Sequence, residues 1–256
     1  MDSLVDLYAD WMEWPLVQEY YDFSGFLNAG YWSEGTHSQQ QACENLSDKL
    51  LSLLPQIEGN ILDVACGNGA TTRALLRHYP AAAVVGINIS QRQLERCRQT
   101  AVGCTFLEMN AVDLQFKAET FNTVICTEAA FHFRTRRDFF REAFRILKPG
   151  GHLLLADIVF GTKNDVSDFI IPGANTVASV DDYRAQLAEA NFDSIDVLDA
   201  TLPCWNRYTQ NLKRWLMAKK IVGELRPEDE VRLQQNPFSI TADYWYYLLA
   251  SAQKPA

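Results

Sequence analysis

From residue 60 onward the chain alternates short apolar runs with helix-like stretches. The runs near 60–66, 83–88, 104–109, 121–126 and 150–157 read as strands, and those near 70–78, 90–99 and 136–147 as helices. Ser90-Gln-Arg-Gln93 has the form of a capping box that opens the second of these helices. Upstream, Ala42, Leu46 and Leu50 recur at four-residue spacing and predict a helix from Thr36 to Leu54, closed by Pro55 and Gly59. Downstream the pattern breaks: residues 158–180 hold Gly161, Pro172 and Gly173 and no clear period. A helix near 181–190, a strand near 193–200, a helical stretch over 206–240 and a last strand from Trp245 to Ala252 follow. Seven strands interleaved with helices predict an α/β fold, a Rossmann-like and mostly parallel sheet with helices on both faces.

The most informative stretch is Ile61-Leu-Asp-Val-Ala-Cys-Gly-Asn-Gly-Ala-Thr71. Ile61, Leu62, Val64 and Ala65 suit a strand covered on both faces. Gly67 and Gly69 allow a sharp turn and leave no side chain between backbone and ligand. Asp63, just before the turn, can order the loop or accept hydrogen bonds from a ligand amine. A dinucleotide fingerprint needs a third glycine and an acid at the end of the next strand. Thr72 and Asn88 stand at those places, and no Tyr-x-x-x-Lys pair occurs, so an NAD-dependent enzyme is the weaker reading.

The stretch resembles the first motif of class I S-adenosylmethionine-dependent methyltransferases, and further matches follow in order. Val84-Val-Gly-Ile-Asn-Ile-Ser90 looks like the second strand with its ribose-binding end, and Phe121-Asn-Thr-Val-Ile-Cys126 like the fourth. Residues 139–157, with Lys148-Pro-Gly-Gly151, resemble the helix, turn and fifth strand beyond. The Phe26-Leu-Asn-Ala-Gly-Tyr-Trp32 approach and Glu128-Ala-Ala-Phe-His-Phe133 resemble the small-molecule, natural-product group.

The resemblance implies S-adenosyl-L-methionine as cofactor and S-adenosyl-L-homocysteine as product. Gly67 and Gly69 would approach its amino acid end and ribose, and Asp63 its ammonium. Asn88 stands where a ribose-binding carboxylate is usual, and Asn110 where an aspartate often meets adenine. The alternative for each is a turn-forming Asn. Ile89 would pack on the adenine, Ala111 supply a backbone amide, and Thr127 lie near the methionine moiety. Tyr20 or Tyr21 would close over the carboxylate. The sixth and seventh strands form an antiparallel hairpin in the family; here some forty residues intervene.

Residues 1–35 carry Tyr8, Trp11, Trp14, Tyr20, Tyr21, Phe23, Phe26, Tyr31 and Trp32. They read as a helical cap, either packed on the core or lidding the site, and an exposed cap can also pair two copies as a homodimer. Residues 36–205 would form the cofactor-binding core with a lid segment at 158–180, residues 206–240 a helical lid insertion, and residues 241–256 the last core strand. Lys213, Arg214, Lys219 and Lys220 would sit on a solvated helix face.

A net charge of −9 without a basic block argues against a nucleic-acid track. No apolar run approaches a membrane span, and the N-terminus does not read as a signal peptide. The six cysteines form no metal spacing and read as buried thiols of a cytoplasmic protein. No metal is expected.

Methyl transfer from a sulfonium needs alignment of the nucleophile, and a hydroxyl nucleophile also needs a base. His132, just past the fourth strand, is the histidine placed for that role. Its alternative is to order the loop. Asp157, ending the fifth strand, is a candidate to orient His132, bind substrate or act as base. Arg134, Arg136 and Arg137 would start the next helix and meet solvent, or one would hold an anionic substrate. The expected function is O-methylation of a small, secondary-metabolite-like hydroxyl compound. N- or C-methylation of a similar scaffold, or a non-methylating reaction such as cyclisation, stays open.

Overall fold

A computed structural model describes residues 4–160, 170–234 and 244–256. Gly161 and residues 235–243, which fall in the expected lid segment, insertion and last domain, lie outside the described residues.

The chain opens with α1 (Leu4–Glu13), α2 (Pro15–Tyr20) and α3 (Gln39–Leu51). The sheet and its crossovers follow: β1 (Ile61–Val64), α4 (Ala70–Leu75), β2 (Val84–Asn88), α5 (Gln91–Thr100), β3 (Thr105–Glu108), β4 (Phe121–Thr127), α6 (Arg136–Ile146) and β5 (Leu147–Phe160). Then come α7 (Val180–Glu189), β6 (Asp193–Asp199), α8 (Arg207–Ile221), α9 (Pro227–Gln234) and β7 (Tyr244–Gln253).

The seven strands lie in the order β3-β2-β1-β4-β5-β7-β6, with β7 antiparallel to both neighbours. The parallel part reverses direction of growth at β1 and β4, and the loops leaving their carboxyl ends diverge to open a crevice there. Residues of β1 are buried throughout, as a strand covered on both faces requires. Leu62, Val64, Val124, Phe139, Phe140 and Leu155 pack one face, and Ile61, Ile125, Leu154, Leu46 and Leu50 the other.

Three local expectations are corrected. The capping box is half formed: Ser90 Oγ accepts from Gln93 N at 3.4 Å, but the Gln93 side chain turns to Asn88 instead of back to residue 90. The Pro-Gly-Gly segment is not a free turn before the fifth strand. It is an irregularity within β5, whose pairing to β4 shifts between Phe121 and Thr123 while Gly150 takes φ +77°. Ile158 and Phe160 belong to β5 rather than to a lid segment, and both are buried.

The aromatic N-terminus folds onto its own chain. Trp14, Tyr20, Tyr21 and Phe26 are buried with Ala70 and Ala74 of α4, and Trp11, Tyr208 and Trp215 pack at their edge. Trp14 Nε1 donates to buried Asp229 of α9 at 2.8 Å, and Arg232 of α9 lies 4.4 Å above the Trp14 ring. Among the described residues no helix is long and apolar enough to cross a membrane.

Candidate active site

The site grows from the turn after β1. Ala65, Gly67 and Gly69 all take positive φ, at +57°, +54° and +80°. At Ala65 this is a strained conformation for a residue with a Cβ, and such strain gathers at ligand-binding turns. Gly69 is required for packing: a Cβ there would meet Cys97 Sγ of α5 at 3.0 Å. It does not line the cavity described below. Gly67 does line it.

Asp63 is 1% exposed and accepts a 2.6 Å hydrogen bond from Thr72 Oγ1. Burial raises its pKa to about 7, partly offset by that hydroxyl. It stands behind the turn and ties β1 to α4. The bond matches the loop-ordering use, and Asp63 does not line the cavity described below.

A cavity of about 760 Å³ opens over the carboxyl ends of the strands. Its floor is made by Gly67, Asn68, Asn88, Ile89, Ala111 and Thr127. The roof comes from Tyr8 and Trp11 of α1, Tyr20 of α2, Leu212 and Trp215 of α8, and Leu233 of α9. Neither α1 nor α8 has a fully buried residue, because their inward faces meet a hollow rather than a packed core.

The sequence-predicted cofactor residues divide by what their polar atoms do. Asn88 lies on the wall, but its amide donates to Gln93 Oε1 at 2.6 Å and to Gly67 O at 3.4 Å, and its Oδ1 accepts from Ile89 N. Asn110 also faces the cavity, and its Oδ1 accepts from Val112 N at 3.1 Å, the turn-forming arrangement. Ile89 is half exposed on the wall, and Ala111 is buried beside it. Tyr21 lines the cavity, but its hydroxyl donates to Leu27 O at 3.1 Å.

Buried side-chain oxygens almost always find a partner. Tyr20 OH, Asn28 Oδ1, Asn68 Oδ1 and Thr127 Oγ1 are buried without one, and all four residues line this cavity. A ligand carrying an ammonium, a carboxylate and hydroxyls would satisfy such a set. Asn28 and Asn68 were not singled out from the sequence, although Asn68 lies inside the glycine turn itself.

His132 sits in a short 3-10 turn after β4, on the cavity wall. Its Nδ1 lies 2.6 Å from Ile170 O, and its Nε2 lies 2.7 Å from Tyr8 OH. A carbonyl only accepts, so Nδ1 carries the proton and Nε2 is left as acceptor of the Tyr8 hydroxyl. Burial pushes the His132 pKa down to about 4; the Ile170 carbonyl opposes this and the Arg136 charge adds to it. The ring is therefore neutral at physiological pH. Tyr8, whose phenol is raised by burial and then by Glu128, is a site residue that the sequence offered only as one of many aromatics.

Glu128 adjoins Thr127 on the same wall, in a left-handed conformation with φ +51°. Its Oε1 accepts from Tyr247 OH at 2.6 Å and from Ala29 N at 2.7 Å. Burial raises its pKa to about 7 against those two bonds.

Asp157, expected as base, substrate contact or orienter of His132, does not line the cavity. It is fully buried, its Oδ2 receiving Arg136 Nε at 2.6 Å and Tyr183 OH at 2.9 Å. Arg136 is likewise buried rather than solvated. Arg137 pairs with Glu189 at the surface, and Arg134 stands at the cavity rim.

This sheet order, the glycine turn and a capped crevice define an open α/β fold whose ligand site lies beyond the carboxyl ends of the strands. A profile described as a methyltransferase domain matches residues 61–151. The chain is 30% identical over 204 residues to 27-O-demethylrifamycin SV methyltransferase of Amycolatopsis mediterranei, covering 73% of this chain and 75% of that one. It is 31% identical over 265 aligned residues to erythromycin 3''-O-methyltransferase of Saccharopolyspora erythraea, covering 90% and 84%. In fold it is similar to the crystal structure of the cyclase SpnF, with a TM-score of 0.72, 18% identity, and 99% and 97% coverage. The chain belongs to the class I S-adenosylmethionine-dependent methyltransferases, in the small-molecule group. Its cofactor is S-adenosylmethionine, released as S-adenosylhomocysteine.

Proposed function

We propose that the enzyme methylates a hydroxyl of a secondary-metabolite-like small molecule, with His132 as the base. The observation that carries this reading is the imidazole itself. Its tautomer is held by Ile170 O, and its acceptor nitrogen is directed at a hydroxyl in the cavity, that of Tyr8. Similarity to the 27-O-demethylrifamycin SV and erythromycin 3''-O-methyltransferases supports the same acceptor chemistry.

Bound S-adenosylmethionine supplies a methyl group already activated on a sulfonium. Thr127, Asn68 and Gly67 would hold its amino acid end, and Asn88, Ile89, Asn110 and Ala111 would line its ribose and adenine. Tyr20, whose hydroxyl is unpartnered, suits the closing role better than Tyr21. The acceptor hydroxyl takes the place of the Tyr8 phenol at Nε2. His132 would take the acceptor's hydroxyl proton at Nε2, and α1, α2, α8 and α9 act as a lid that keeps water out.

Six unpaired thiols support a reducing, cytoplasmic setting.

The test is incubation with S-adenosylmethionine carrying an isotope-labelled methyl and a panel of hydroxylated macrolactones, phenols and amines. The expected product carries the label on oxygen. Label on nitrogen or carbon overturns the hydroxyl reading, and an acceptor converted while the sulfonium stays intact overturns methyl transfer.

A further inference from the structure

The loop bearing His132 is held by a buried polar cluster that the chemistry above does not use. Asn175 is 3% exposed, and each of its side-chain groups is engaged. Its Nδ2 donates to Phe131 O at 3.0 Å and to Phe133 O at 2.7 Å, the carbonyls on either side of His132. Its Oδ1 accepts from Arg136 N at 2.7 Å, and its own carbonyl accepts from Arg136 Nη1. Arg136 is 1% exposed; its Nη2 donates to Ile158 O at 2.8 Å and its Nε to Asp157. Tyr183 of α7 completes the carboxylate's shell.

A packing role alone is a costly explanation for this cluster. A buried ion pair returns little net stability over apolar side chains of similar volume. What it supplies is direction. The same short segment that presents Asn175 also presents Ile170 O, the acceptor that fixes the His132 tautomer. Asn175 therefore registers two things at once: the backbone on both sides of the imidazole, and the segment holding Nδ1.

We propose that Asn175, Arg136 and Asp157 are positioning residues for His132, a buried clamp that sets the direction of the Nε2 lone pair and the proton on Nδ1. The proposal rests on His132 being the base. Asp157 thus orients His132 through Arg136 and Asn175, without touching it or the substrate. Asn175→Ala frees both carbonyls while leaving the cavity lining intact. Tyr183→Phe is milder, removing one hydrogen bond from Asp157 and keeping the ring in the core.

The test reads the two variants in three ways: ¹⁵N NMR of the His132 imidazole, S-adenosylhomocysteine affinity, and kcat and KM with the acceptor selected by the panel assay. In the parent the ring gives the Nδ1–H tautomer. In Asn175→Ala it becomes a tautomer mixture, and kcat falls ~10- to 100-fold, as misplacement of a catalytic group by about an ångström does. Affinity for S-adenosylhomocysteine stays unchanged. Tyr183→Phe gives a smaller loss in the same direction, and decides the matter if Asn175→Ala does not fold. An unchanged tautomer with unchanged kcat overturns the clamp. So does a parallel loss of kcat and cofactor affinity, which marks a general structural role. If His132→Ala retains full activity, the base assignment fails instead, whatever the tautomer signals show.

Discussion

At the scale of single residues, the site depends on buried groups whose protonation is set by surroundings. His132 is kept neutral by burial, and its Nδ1 proton is committed to Ile170 O. His132→Ala is expected to lower methyl transfer ~100-fold or more while leaving cofactor affinity nearly intact. Calorimetry with S-adenosylhomocysteine beside a rate assay checks this, and an equal loss of binding would make the histidine structural. Asp63 presents the opposite sign. Burial raises it to about 7, whereas an unfolded aspartate titrates near ~3.9. Between those values the folded protein keeps a proton that the unfolded chain has released. The stability linked to Asp63 is then fully present below about pH 4 and lost as pH rises through about 7. Glu128, also raised to about 7 by burial, acts in the same direction. Asp63→Asn should therefore gain stability over the parent as pH is raised from about 5 to about 8. Urea unfolding at several pH values measures the gap, and a gap constant with pH contradicts the assignment.

At the scale of elements, the roof is a set of helices tied to one another more than to the sheet. Trp14 at the start of α2 donates to Asp229 of α9, Arg226 pairs with the same carboxylate, and Arg232 bonds to Asp10 of α1. The helices share an apolar cluster with Trp14, Leu16 and Tyr20, and these ties fix how they meet. Trp14→Phe keeps the ring and removes the indole donor, at a cost of about 1 kcal/mol. The expected result is faster amide hydrogen exchange in α9 with protection of β1 and β4 unchanged. Uniform loss of protection would show that roof and sheet unfold as one unit.

The period of the apolar pattern located nearly every strand and helix, because buried strands and amphipathic helices must repeat at their own spacing. It misjudged the Pro-Gly-Gly segment. Pairing with β4 extends β5 back to Leu147, and a local pattern carries no information on a strand's partner.

At the scale of the whole molecule, sheet and roof close on one ligand space, so cofactor binding should stabilise both. At a hundred times Kd, S-adenosylhomocysteine would add about 2.7 kcal/mol, roughly 5–10 °C in Tm for a chain of this size. Thermal unfolding against ligand concentration tests this, and an unchanged Tm would deny that the described cavity is the cofactor site.

The chain's own pattern determined the α/β class, the glycine turn, the order of the strands' motifs and the placing of His132 beyond β4. Those features are local, since period, turn chemistry and spacing are written in neighbouring residues. Tertiary structure decided which polar groups face the cavity. Asp63 and Asp157 look alike along the chain as acids at strand ends. Folding turns one to Thr72 and the other to Arg136 and Tyr183, and leaves the cavity to Tyr8, Asn28, Asn68 and Thr127. A side chain's exposure depends on what other segments bring against it, and Asn175 meets Arg136 from 39 residues away. Distance along the chain hides such pairings until burial forces most polar atoms to find a partner.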